Sequence, residues 1–88
     1  MATVRFRSPS EFSATVEALL KTCEQHRDAK GRLDTKRALM LTALVTARRR
    51  RTSGRGLAVD LDDAHIRLAR RTLGDHPRAA AFDRTGPR

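Results

Sequence analysis

The ten residues ALMLTALVTA at positions 38–47 constrain the fold of this chain most, because they are apolar on almost every side of a helix. The pattern predicts a helix from Thr35 to about Arg50, with Asp34 as its N-cap. A helix that is apolar all round is buried on more than one face. The chain has only 88 residues, of which 39% are hydrophobic, so one copy offers little surface to cover it. We therefore expect a homodimer, with this predicted core: Val4, Phe6, Leu39, Leu41, Leu44 and Val45.

A short strand is predicted at the N-terminus, where the stretch TVRFR at positions 3–7 alternates polar and apolar residues. Val4 and Phe6 fall on one face, and the basic side chains fall on the other. A five-residue strand is not stable alone in water, and neither of the helices that follow can complete its ladder. We therefore expect the strand to pair with its own copy in an antiparallel ribbon across a two-fold axis.

The residues after this strand predict the start of a helix. Ser8 is placed to cap it, Pro9 suits the first helical position, and Glu11 completes a capping box. An apolar stripe then follows at helical spacing, formed by Phe12, Val16, Leu19, Leu20 and Cys23. The place of the cysteine in this stripe favours a buried small hydrophobe over a reactive thiol. The polar residues 26–33 predict a loop before the second helix.

The remainder of the chain is predicted to be less compact. Residues 52–59 begin with TSGRG and predict a linker, residues 60–74 predict a third helix with an aspartate cap, and residues 75–88 predict a flexible tail. Residues 1–51 would form a basic domain for dimerisation and nucleic-acid binding. The expected fold is mostly α, in the order β-α-α-α. Its short N-terminal strand pairs across a homodimer, two helices form the core, and a third helix follows.

The positive charge is concentrated in the N-terminal two-thirds of the chain. The net charge is +9, and residues 1–56 hold 13 Lys and Arg against 5 Asp and Glu, which leaves +1 for residues 57–88. A concentrated basic region indicates a polyanionic partner, either nucleic acid or an anionic membrane surface. Nucleic acid is the expected partner, with duplex DNA favoured and duplex RNA as the alternative. No apolar run is long enough to cross a bilayer, so no membrane partner is expected.

Other functional classes have little support in the sequence. No catalytic triad, phosphate loop or paired carboxylate stands out, and the three histidines are not spaced to share a metal with one another or with the cysteine. We therefore expect no enzyme activity, no metal and no cofactor. A single cysteine excludes an internal disulfide and suits a reducing compartment. The expected location is the cytoplasm, at the nucleoid if the source is bacterial.

The order of these parts resembles the ribbon-helix-helix family of dimeric DNA-binding repressors. The resemblance is carried by the alternation TVRFR, the helix opening Pro9-x-Glu11-Phe12, the amphipathic first helix and the largely buried second helix. It implies that the outward strand residues contact bases, namely Thr3, Arg5 and Arg7. It also implies a phosphate contact at the start of the second helix, at the positions Asp34, Thr35, Lys36 and Arg37. A two-stranded ribbon fits the major groove of B-DNA, where arginine commonly recognises guanine.

The run of four arginines is open to two interpretations. With the segment SGRG at 53–56, these arginines could form a phosphate clamp or an RNA-tail-like segment, or they could be an exposed helix end; they are Arg48, Arg49, Arg50 and Arg51. Three functions remain possible. The first is a small repressor, or a plasmid or phage accessory factor, that binds DNA through the ribbon. The second is a helical dimer that recognises duplex RNA or DNA by shape. The third is a DNA-binding antitoxin whose helix at 60–74 binds a protein partner.

Overall fold

The protein was analysed as a computed structural model that describes residues 1–86. In chain order, the elements are strand β1 (Ala2–Phe6), helix α1 (Pro9–Glu24), helix α2 (Thr35–Thr46), strand β2 (Arg49–Arg51), strand β3 (Leu57–Leu61), helix α3 (Asp63–Leu73), a 3₁₀ helix (Pro77–Asp83) and strand β4 (Thr85–Gly86). Helical segments hold just over half of the described residues. The expected mostly-α fold, with a short N-terminal strand followed by helices, is confirmed.

The four strands form one antiparallel sheet in the order β2-β3-β1-β4. Strand β1 pairs with β3 along its whole length, from Ala2 opposite Leu61 to Phe6 opposite Leu57. On its other side, β1 pairs with β4, and the ladder is extended by a 3.0 Å hydrogen bond from Arg5 N–H to the carbonyl of Arg84. Both edges of β1 are therefore occupied within one chain. The expectation that this strand pairs with a second copy is wrong, because the sequence supplies its partners further along.

Strand β3, at residues 57–61, was not predicted from the sequence. All five side chains of β3 are buried, so residues 52–59 are not a linker between separate units. Residues 52–56 instead form the turn of the β2–β3 hairpin, closed by a 3.1 Å bond from Thr52 N–H to the Gly56 carbonyl. Gly54 lies at φ +76°, which is a conformation that favours glycine in a tight turn. Helix α3 follows within the predicted range.

The C-terminal segment also packs on the core, in contrast to the predicted tail. The 3₁₀ helix buries Ala79, Ala81 and Phe82, and the ring of Phe82 meets Phe6 edge to face at a centroid distance of 6.3 Å. Phe6 makes a second edge-to-face contact with Phe12 at 5.2 Å. The tail prediction is therefore wrong for residues 77–83, and its last two positions lie outside the described residues.

Helix α1 begins as the sequence predicted, with one difference. Ser8 caps it by accepting a 3.1 Å hydrogen bond from Glu11 N–H, and Pro9 occupies the first turn. The Glu11 carboxylate bonds to the backbone N–H of Arg7 at 2.8 Å, one residue before the position expected for a capping box. Cys23 is buried near the end of α1, and burial raises the pKa of its thiol.

The surplus apolar surface of α2 is covered only in part. The helix ends at Thr46, before the arginine run, and it packs against α1 and α3. Of the predicted dimer core, Val4, Phe6 and Leu44 are buried within one chain and Leu41 is half-buried. Leu39 and Val45, in contrast, are 56% and 54% exposed. Because β1 pairs within one chain, it no longer supports the prediction of a dimer. The two exposed side chains of α2 are the part of the predicted dimer core that the chain leaves in contact with solvent.

Candidate nucleic-acid interface

The two faces of the sheet differ in chemistry, because alternate residues of a strand point to opposite faces and cross-strand neighbours share a face. Val4 and Val59 lie opposite each other on the inner face and belong to the core under the helices. On the outer face, Ala58 lies between Arg5 of β1 and Arg50 of β2. Two strand spacings place the backbones of these arginines roughly 10 Å apart. Both side chains are exposed, so the outer face carries positive charge.

A buried polar network ties three strands together beside this row. Asp60 is 5% exposed, and its Oδ1 accepts hydrogen bonds from the Thr3 hydroxyl at 2.9 Å and from Nη2 of Arg50 at 3.0 Å. Arg50 therefore has a fixed position on the sheet while its other N–H groups remain available. Thr3 is 1% exposed. The prediction that Thr3 contacts a base is wrong, because its hydroxyl is committed to the buried carboxylate.

The four arginines predicted to contact phosphates, at positions 48–51, differ in the face of the sheet that they occupy and in the residues that they contact. Strand alternation places Arg50 on the outer face and its two neighbours on the other face. The guanidinium of Arg49 lies 5.2 Å from the centre of the Phe12 ring and donates to the Val45 carbonyl at 3.3 Å. Arg48 is exposed, and its carbonyl accepts a hydrogen bond from Asp60 N–H at 3.0 Å. The fourth arginine, Arg51, lines a cavity described next.

The β2–β3 hairpin and the start of α1 enclose a cavity of about 380 Å³. Arg51 and Arg55 line it together with the two glycines of the turn, and Ser8 and Ser10 line the opposite wall. Neither arginine forms an ion pair within the described part of the chain. Two free guanidinium groups beside a helix start provide the donors that a phosphate group prefers. Arg55 belongs to the segment 53–56, which the sequence left open as part of a phosphate clamp with the arginine run.

The predicted phosphate site at the start of α2 lies apart from this cavity. Thr35 and Lys36 are exposed, but Arg37 forms a 2.6 Å ion pair with Asp34 and a 3.3 Å bond to the Thr72 hydroxyl. Hydrogen bonds from the backbone and side chain of Arg37 lower the pKa of Asp34. Helix α2 separates this end from the arginine run by about 17 Å, at 1.5 Å per residue. The two predicted phosphate sets therefore do not form one site.

Arg7, the last predicted base contact, follows β1 directly and is exposed. It lines a second basic cavity of about 440 Å³ with Arg78 and Arg84. Here Arg84 pairs with the Glu11 carboxylate. Burial by itself would raise the pKa of Glu11, but the hydrogen bonds from Arg7 and Arg84 and their charges together lower it. Of the three predicted base contacts, only Arg5 and Arg7 are accessible.

Comparison with known proteins returned no family model, no curated protein and no solved structure that matches this chain. The resemblance to the ribbon-helix-helix family stays a prediction. Among the described residues, no helix is long and apolar enough to cross a membrane, and no three metal-ligating side chains lie together. What the chain binds must therefore be inferred from its own charge and geometry.

Proposed function

We propose that this chain binds nucleic acid through its basic surface, defined as Arg5, Arg7, Arg50, Arg51 and Arg55. The observation that carries the proposal is the placement of these arginines at one end of the sheet. Arg5 and Arg50 lie on its outer face, whereas Arg51 lies on the opposite face and lines the hairpin cavity with Arg55. Only Arg50 forms an ion pair, and the carboxylate that it uses is buried. The remaining four, as far as the structure describes the chain, have no carboxylate at salt-bridge distance. A surface of this kind attracts a polyanion and releases its counterions on binding.

The width of the sheet favours phosphate contacts over insertion into the major groove. Four strands span roughly 14 Å between their outer axes, whereas the major groove is about 12 Å wide and admits a two-stranded ribbon. Arg5 also lies on β1, which has a neighbouring strand on each side. We therefore propose contacts that position the protein on the phosphate backbone and depend weakly on sequence.

A repressor function requires base contacts in addition to these phosphate contacts. Arg5 and Arg7 are the exposed members of the predicted base-contact set, and they are the residues through which sequence preference would arise. Duplex DNA and duplex RNA share the phosphodiester chemistry that the basic surface recognises. The binding assay therefore compares the two duplexes at matched salt.

The test is a double variant, Arg51→Gln with Arg55→Gln, because both side chains line the cavity without internal partners. We expect weaker binding to a random 20-base-pair duplex, measured by fluorescence anisotropy over a salt series. If both arginines contact phosphates, the slope of log K against log salt becomes shallower by about 1.8, at 0.9 per contact on B-DNA. Duplex RNA of the same sequence is measured in parallel.

The matched control is Arg67→Gln with Arg71→Gln, which removes the same charge from helix α3 on the helical side of the molecule. We expect little change in affinity, because these arginines do not belong to the basic surface. An equal loss of duplex affinity in both double variants would show that binding depends on net charge alone. Absence of binding to either duplex at 50 mM salt would contradict the proposal itself, since non-specific binders reach about 10⁻⁴ to 10⁻⁶ M even at physiological salt.

A further inference from the structure

A second surface, independent of the nucleic-acid proposal, lies on the helical side of the molecule. Helices α2 and α3 border a groove of about 280 Å³, lined by Lys36, Leu39, Ala64, His65, Arg67, Leu68 and Arg71. The basic surface contributes none of these residues. We call this the α2–α3 groove.

The groove has an apolar floor. Leu39 is 56% exposed on a helix whose other leucines turn toward the core. Ala64, Leu68 and Arg71 are spaced at i, i+4 and i+7, so they form one stripe of α3 that faces the groove. Leu68 packs partly against the core and leaves the rest of its side chain in the groove. Leucines on two neighbouring helices therefore meet in one open depression.

The rim of the groove is basic. Lys36, Arg67 and Arg71 line it, none of the three forms an ion pair in the described chain, and no carboxylate is among the lining residues. His65 adds a buried Nδ1 atom without a hydrogen-bond partner among the described residues. Three unpaired cations around two leucines match a ligand that is apolar along one stripe and acidic beside it.

We propose that the α2–α3 groove binds an acidic amphipathic helix of a partner protein. Such a helix would place its apolar stripe on Leu39 and Leu68 and its carboxylates against Lys36, Arg67 and Arg71, as in helix-in-groove recognition. A second copy of this chain is a poorer occupant, because each copy carries +9 and the cationic rims would approach each other. A membrane surface is also a poorer occupant, because interfacial helices need a long apolar face and this groove offers two leucines.

The experiment uses a fluorescently labelled 16-residue peptide with leucines at i, i+4, i+7 and i+11, four glutamates beside this stripe, and alanine or glutamine at the other positions so that it can form a helix. Anisotropy is measured with the full chain at 100 mM salt. We expect Leu39→Ala to weaken peptide binding by about tenfold, which is the effect of losing one anchor worth about 1.4 kcal/mol. Leu39 is exposed, so this substitution should leave the melting temperature unchanged.

The matched control is Val45→Ala, since Val45 lies on the same helix, is 54% exposed and lines a different groove. It should bind the peptide as the parent chain does. A second control replaces the glutamates of the peptide with lysines, which should abolish binding. Equal effects of Leu39→Ala and Val45→Ala, or equal binding of the lysine peptide, would overturn the proposal.

Two further measurements separate the other occupants. Sedimentation velocity of the parent chain and Leu39→Ala should show the same mass, and a dimer lost in the variant would assign the groove to a second copy. Flotation with vesicles of phosphatidylserine should not depend on Leu39, and a dependence would assign the groove to a membrane. Binding of duplex DNA should be equal in the parent and in Leu39→Ala, so failure of the nucleic-acid proposal would not affect this test.

Discussion

At the scale of single residues, neighbouring arginines of identical chemistry have different surroundings. Arg49 stacks on Phe12, Arg50 pairs with the buried Asp60, and Arg51 lines an open cavity. The difference arises because successive side chains of a strand point to opposite faces. A count of positive charges therefore overstates how many arginines are available to a polyanion.

Glu11 provides a test at this scale, because its carboxylate joins Arg7, which follows β1, and Arg84, which precedes β4, to the start of α1. Its folded pKa lies below the ordinary value of 4.5. A carboxyl group whose pKa is lower in the folded state than in the unfolded state stabilises the fold at pH values above its unfolded-state pKa. This stabilisation is lost as the pH falls through the folded-state pKa. We expect Glu11→Gln to lower the free energy of unfolding by about 1 kcal/mol at pH 7, with the gap to the parent closing below pH 4.5.

Urea denaturation followed by circular dichroism between pH 7 and pH 3 measures this gap. The control is Glu17→Gln, since Glu17 pairs with Lys21 at 3.4 Å on the exposed face of the same helix. An exposed pair contributes about 0.5 kcal/mol or less, so the control should stay close to the parent. A gap for Glu11→Gln that does not narrow as the pH falls below 4.5 would show that charge does not carry the effect.

At the scale of elements, β3 determines the architecture. Its residues LAVDL are apolar at every position except Asp60, and all five are buried between the two neighbouring strands. The first strand and the arginine run both pair with it, so the N-terminal strand and the β2–β3 hairpin become one sheet. The Thr3–Asp60–Arg50 network adds polar contacts to this pairing.

Thr3→Val tests that network without changing the shape of the side chain. The substitution removes one donor from a buried carboxylate, and we expect a loss of about 1–3 kcal/mol in the free energy of unfolding. Thr85→Val is the matched control, because Thr85 is an exposed residue of β4. The loss is read from the denaturation midpoint at constant m-value. If both variants were equally stable, the hydroxyl of Thr3 would contribute nothing to the sheet.

At the scale of the whole molecule, the C-terminal segment packs against the N-terminal strand. The ring of Phe82, in the 3₁₀ helix, packs in an aromatic cluster with Phe6 and Phe12, and β4 pairs with the edge of β1 that β3 leaves open. A domain that ended at residue 51 would lack two of the four strands. The division into a binding domain, a linker and a tail does not describe this molecule.

Phe82→Ala measures how much the packing of the C-terminal segment contributes to the free energy of unfolding. Truncating a buried phenylalanine costs about 3–5 kcal/mol, which is a large part of the stability of a small domain. Thermal denaturation should show a markedly lower melting temperature, whereas Ala80→Ser at an exposed position of the same helix should not. A change of less than about 1 kcal/mol for Phe82→Ala would contradict the packed C-terminus.

The sequence by itself determined the local features of this protein. Ser8 and Asp34 cap the helices that they were predicted to cap, and β1 buries Val4 and Phe6 as predicted. Of the predicted apolar stripe of α1, Phe12, Leu19 and Cys23 are buried, Val16 is half-buried, and Leu20 is 46% exposed. These features depend on interactions between residues a few positions apart, so the sequence alone predicts them. The tertiary structure decided which strand pairs with β1 and which arginines remain free. The segment LAVDL after a glycine turn, apolar at four of its five positions, is compatible with a linker or a strand, and only long-range contacts distinguish the two.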